Sequence, residues 1–190
     1  MDTQTSIVET PEPLPLSQWA FALRFVVPGK PQPRGSKVSF VPIHPKTKMH
    51  YRRPNGTIIT ATKDDNPESE PWMRLAARRA KRIMDGRTLF DGAVALNVRW
   101  YFERPKCHYR TGKFADQLRA DSPVDHIQKP DCDKLKRCLG DALSGVVYVD
   151  DCQIVGTPGE RKFWGAPART VVQVYVPPED HAAWLERNKF

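Results

Sequence analysis

The hydrophobic positions divide the chain into a few legible segments. "FALRFVVPG" (21–29) alternates, then runs apolar, and stops at Pro-Gly, which predicts a first strand. Trp72, Leu75, Ala76, Ala80, Ile83 and Met84 recur at helical spacing. Pro67, Glu68 and Glu70 precede them as start signals and Gly86 follows as a stop, so a helix is expected between these marks. "AVALNVRWYFE" (93–103) alternates from Val94 and predicts a second long strand. On a helical wheel over 134–143, Leu135, Cys138, Leu139, Ala142 and Leu143 share one face, while Lys134, Arg137 and Asp141 share another. Strands are expected near 152–163 and 169–176, with a short helix in "EDHAAWLERNK".

Polar punctuation fills the gaps. Asn55-Gly56 inside "HYRRPNGTIITAT" signals a hairpin. The stretch 104–129 carries little pattern and reads as a long loop of the kind that often serves function. Residues 1–20 read as a flexible arm, 21–178 as the main domain and 179–190 as a terminal helix or tail. The order of elements is β, hairpin, α, β, α, β, β. That order predicts an α+β fold, a mixed sheet with two main helices packed on it.

Composition narrows the class of partner. The chain has 190 residues, 30 Lys and Arg against 22 Asp and Glu, and a formal charge of +8. From Pro13 to Lys63 nine basic residues stand without one carboxylate. A block of this kind attracts polyanions, because each neutralised phosphate releases condensed counterions, although a solvated basic face gives the same count. No apolar run is long enough for a membrane span and no secretory leader is visible, so the cytoplasm is the expected compartment and no membrane partner is expected. Four cysteines without a C-x-x-C pair point to reduced thiols rather than a zinc site.

The chemistry concentrates in "KPDCDKLKRCLGDALSGVVYVDD" (129–151). Each carboxylate has an ordinary structural explanation. Asp133 can cap the helix, Asp141 can pair with Arg137 one turn away, and Asp150-Asp151 can form a turn. Taken together the explanation weakens, because Asp131 then has no role and neighbouring carboxylates repel unless a cation neutralises them. Hard oxygen ligands suit Mg²⁺ or Mn²⁺. If the strand after Asp151 lies beside the helix, Asp151 returns to the helix start. A basic nucleic-acid binder with a carboxylate metal site suggests phosphodiester hydrolysis.

"KPDCDKLKRCLGDALSGVVYVDDCQIV" resembles the signature of RusA-type Holliday junction resolvases, in particular phage and prophage forms: Asp-x-Asp before a helix, Asp-Ala-Leu, then Asp-Asp-x-Gln-Ile/Val. "VVPGKPQPRGSKVSF" resembles the strand and basic loop that open many such proteins. The resemblance implies a homodimeric, Mg²⁺-dependent endonuclease (Mn²⁺ as substitute) that nicks four-way DNA junctions symmetrically in recombination, repair or phage DNA processing. It implies Asp131, Asp133 and Asp151 as metal-holding catalytic carboxylates, Arg137 as a catalytic residue near the phosphate, and Asp150, Asp141 and Lys134 as supporting residues, with Lys134 also near the phosphate. Lys30, Arg34, Lys37 and Lys136 are then the expected DNA contacts. Two positions depart from the pattern: Lys134 stands where the best-known members carry Asn, and Arg137 where they carry Lys. Arg137 keeps the positive charge but cannot donate a proton. Two alternatives stay open: a junction-binding protein of weak activity, and a metal-dependent nuclease for other branched or hybrid nucleic acids.

Overall fold

The computed structural model describes residues 14–189. Residues 1–13 of the expected arm lie outside the described residues, and within it Leu16–Gln18 form a 3-10 turn leading directly into the first strand. The strands are β1 (Ala20–Pro28), β2 (Lys37–Phe40), β3 (Ala61–Asp64), β4 (Val94–Phe102), β5 (Ile154–Gly156), β6 (Arg161–Trp164) and β7 (Arg169–Val176). The helices are α1 (Ser69–Met84), α2 (Cys132–Leu143) and α3 (Pro178–Arg187).

The sheet runs β1-β7-β4, with β5 and β6 both on the free side of β4. β7 is antiparallel to β1 and to β4, whereas β5 and β6 are parallel to β4, so the sheet is mixed and the fold is α+β. The register explains the one-sided core. Leu23, Val174 and Leu96 lie across from one another, as do Phe25, Val172 and Val98, and all six are buried. Alternate positions turn the other way, leaving Arg24 and Arg99 exposed on the opposite face. Period-two alternation in the sequence is thus realised as two chemically different faces.

α1 and α2 pack against each other over the apolar face. α1 buries Trp72, Ala76, Ala80 and Met84, which recur every four residues, and the Trp72 ring lies 6.3 Å from Trp100 of β4. α2 buries Leu135, Cys138, Leu139, Ala142 and Leu143, the face expected from the wheel. Burial pushes the Cys138 thiol up to about 12, which keeps it protonated as part of the core.

The expected hairpin is present in a wider form. A bridge between Arg52 and Ile58 closes over Asn55-Gly56, while the main ladder pairs β2 with β3 further out. The short helix expected in the terminal segment is α3, and it packs on the body. Trp184 of α3 stacks on Phe90 at 4.7 Å and donates from Nε1 to the Thr88 carbonyl at 2.7 Å. Among the described residues no helix is long and apolar enough to cross a membrane.

Candidate active site

The site is built around the exposed face of α2 and the turn that follows it. α2 begins at Cys132, so Asp131, rather than the expected Asp133, takes the N-cap position. Asp131 has extended backbone angles suited to a cap, yet its side chain makes no capping hydrogen bond. Its exposed carboxylate is therefore free of local backbone duty. Asp133 stands in the first turn, also exposed, where the helix dipole favours negative charge.

The loop before α2 is held from β6. Lys162 Nζ donates to the Gln128 and Pro130 carbonyls at 2.7 and 2.8 Å. Arg161 grips Asp125 through two bonds of 2.7 and 2.8 Å, and its guanidinium keeps the Asp125 carboxyl below the usual carboxylate range. The long 104–129 loop is thus anchored at its end, and the entrance to α2 has a fixed position.

After Leu143 the chain reverses at once. Gly145 takes a left-handed φ of 70°, and the buried Tyr148 hydroxyl donates to the Gly140 carbonyl at 3.1 Å. Asp150 then caps a 3-10 turn (Asp151–Gln153): its carboxylate accepts from Cys152 N–H at 2.9 Å, which lowers its pKa, and Gln153 Oε1 accepts from Asp150 N–H. Gln153 also donates to the Phe90 and Gly92 carbonyls just ahead of β4. The Asp-Asp-x-Gln motif therefore divides its labour. Asp150 and Gln153 build and moor the turn, and Asp151 is left exposed toward α2.

Asp151 comes back against α2 as the chain reverses. It lies against Gly140, where an added Cβ would sit 3.6 Å from the Asp151 Cβ. Gly140 lies on the helix face that also carries Asp133 and Arg137, at i, i+4 and i+7, and all three border the same cleft. The tight reversal at Gly145 is the physical reason, since it brings the chain back beside the last turns of α2.

A cleft of about 480 Å³ opens here, lined by Asp133, Lys136, Arg137, Gly140 and Asp151 among others. Asp131 faces a neighbouring recess with Lys30, Lys129 and Lys134. Among the described residues no three His, Cys, Asp or Glu side chains gather closely enough to hold one metal ion. Asp133 and Asp151 share the cleft, and two carboxylates suit Mg²⁺, which commonly takes one or two and keeps waters and phosphate oxygens for its remaining positions.

Two expected pairings are reassigned. Asp141 pairs with Arg34 at 3.1 Å, not with Arg137, and Arg34 Nε also lies 3.3 Å from Asp64. Arg34 N–H donates to the Lys134 carbonyl at 2.9 Å, so this arginine fastens the basic loop to α2 instead of facing solvent. Lys30, Lys37, Lys134 and Arg137 remain exposed, and Lys136 lies 4.0 Å from Glu160.

Glu160 carries no distinguishing mark in the sequence. It sits before two cations in "GERK" and resembles a solvated acid, yet its carboxylate accepts from Trp100 Nε1 at 3.4 Å and is largely covered. Burial raises its pKa, Lys136 opposes the rise, and the charge of Asp133 adds to it.

Residues 41–175 match the family model described as endodeoxyribonuclease RusA. No curated protein matches the chain significantly.

Proposed function

The chain belongs to the RusA endodeoxyribonuclease family, and we propose that it is a divalent-metal-dependent endonuclease nicking four-way and related branched DNA. The observation that carries this reading is the cleft shared by two exposed carboxylates, Asp133 and Asp151, and two cations, Lys136 and Arg137. Asp133 and Asp151 would hold Mg²⁺ or Mn²⁺. Asp131 joins them from the adjoining recess, because no capping bond fixes its side chain there. When bound, such an ion polarises a phosphoryl oxygen, lowers the pKa of a bound water and stabilises the leaving oxygen.

The protein's own groups do the positioning. The exposed Arg137 guanidinium offers paired N–H donors to a phosphate. Lys136, tethered toward Glu160, adds positive potential beside Asp133. Lys30, Lys37 and Lys134 are exposed and suit contact with the DNA backbone. Asp150 and Asp141 act on geometry, by capping the turn and by holding Arg34. Two nicks related by a two-fold axis need two such clefts, which a C2 homodimer supplies. Recombination, repair or phage DNA processing in the cytoplasm are the settings that use this reaction.

One observation favours a second reading, a junction-binding protein with weak turnover: among the described residues three carboxylates do not gather at one point. Incubating a synthetic four-way junction with Mg²⁺, Mn²⁺ or EDTA separates the two. The nuclease reading expects paired, metal-dependent nicks that fall by about 10²- to 10³-fold in Asp133→Asn and Asp151→Asn, a range typical for removing one catalytic electrostatic group. Tight, salt-sensitive binding without nicking on four-way, flap, linear and hybrid substrates would refute it and leave the second.

A further inference from the structure

A second cavity lies near the loop that leads into α2. A hollow of about 670 Å³ opens between the ends of β1 and β4, the loop before α2 and the β6–β7 turn. Its wall is aromatic. His126, only 5% exposed, stacks on the buried Phe102 at 4.0 Å and 25°. Trp164, partly exposed, lies 4.2 Å from the same imidazole. Lys30, Lys129 and Arg169 also line the hollow, and Lys30 and Lys129 are shared with the recess that holds Asp131 and Lys134.

One polar atom in this wall has no partner. His126 Nδ1 is buried and makes no hydrogen bond. A buried nitrogen left unpaired costs free energy unless something supplies its partner. Burial lowers the His126 pKa, with Lys162 adding to the effect, which favours the uncharged ring. A neutral imidazole pairs with either a donor or an acceptor, according to its tautomer.

Aromatic faces, a ring of cations and unused hydrogen-bonding groups describe one chemical class well. An unstacked nucleobase presents a π-face for Trp164 and a polar edge for the exposed Gln128. Its flanking phosphates meet Lys30, Lys129 and Arg169. Lys30 and Lys129 join this hollow to the recess with Asp131 and Lys134 at the entrance to α2, next to Asp133 in the chain. We propose that the hollow receives one unstacked base of the DNA strand whose phosphate lies in the acidic cleft, and that it thereby sets where along the strand the cut falls. This rests on the endonuclease reading and adds to it a source of sequence preference.

The test places 2-aminopurine singly at successive positions around the crossover of a four-way junction and binds the full-length protein in EDTA. The expected result is a fluorescence change confined to one position near the cut, abolished in Trp164→Leu. In Mg²⁺, the same variant should lose about tenfold of its preference for the favoured cut position, in line with the value of one base–aromatic stack. A circular dichroism melt checks that the variant folds. If it does not, Gln128→Ala replaces it, with an expected change of at least about threefold in preference among bases at that position. Binding and nicking with no position-specific response, or preference unchanged in the folded variant, overturns the pocket and leaves the nuclease. Failure of the wild type to bind or nick any branched DNA takes both down.

Discussion

Replacing Arg34 separates a structural role from a DNA-binding one. Its Nε lies 3.3 Å from Asp64 and 3.1 Å from Asp141, with side-chain exposures of 23%, 14% and 30% for the three residues. Two oxygens so close to one nitrogen lie at most about 6 Å apart. Without the arginine their repulsion at that separation is about 2.8 kcal/mol at an effective dielectric of 20. Partial exposure and salt reduce that, so Arg34→Ala should cost about 2 kcal/mol, between the values for surface and buried pairs. For a chain of this size the melting temperature should fall by about 4–8 °C. Arg34→Ala combined with Asp141→Asn should recover part of the stability, giving a coupling of at least about 1 kcal/mol in a double-mutant cycle. The salt dependence of junction binding supplies the control. Lys30→Ala, which removes a cation facing a phosphate, should reduce the log–log slope by about 0.9, whereas Arg34→Ala should leave it unchanged. An unaltered melting temperature together with a reduced slope would refute the reasoning and return Arg34 to the DNA surface.

Four further outcomes follow from the same geometry. Gly35→Ala should destabilise strongly, because its Cβ would fall 1.9 Å from Asp64 Oδ1 and 2.7 Å from the Asn66 nitrogen; a melt unchanged within about 1 °C would contradict this. Gly140→Ala should fold normally, since its Cβ meets Ile154 and Asp151 at 3.4–3.8 Å, but Gly140→Val should displace Asp151 and reduce nicking more than stability. Protonation of His126 should weaken the fold: its folded pKa lies below the unfolded value of about 6.5, so its contribution is complete above that pH and fades as pH falls through the depressed folded value. Denaturant midpoints between about pH 7.5 and 5 should therefore decline less steeply in His126→Phe than in the wild type. Iodoacetamide should modify the exposed Cys107 well before the buried Cys138, as peptide mapping over time would show.

Much of this was readable in the residues, for identifiable reasons. β7 and β4 alternate, and α1 and α2 carry apolar residues at helical spacing, because each element has one face to bury. The acidic motif was visible because carboxylates are sparse in a basic chain. What the sequence withheld depends on tertiary approach. Arg34 looks like any other cation in its basic block, and only the seating of that block on α2 brings it to Asp141. The level of Asp151 along α2 follows from the reversal at Gly145, which local pattern does not measure. Glu160 and His126 gain their character from Trp100, Phe102 and Trp164, residues distant in the chain or carrying no local signal of the encounter.

Gln153 donates to the carbonyls of Phe90 and Gly92, and α3 holds that same short segment through Trp184 on Phe90 and Asn188 on Thr88. Asp151 is therefore seated, at one remove, by residues made some thirty positions later on the ribosome. A nascent chain carries its acidic residues long before it owns the helix that steadies them. Proteolysis at the Pro177–Pro178 junction would likewise slacken a cleft it never touches. Synthesis of α3, in this sense, is a condition of the site's rigidity.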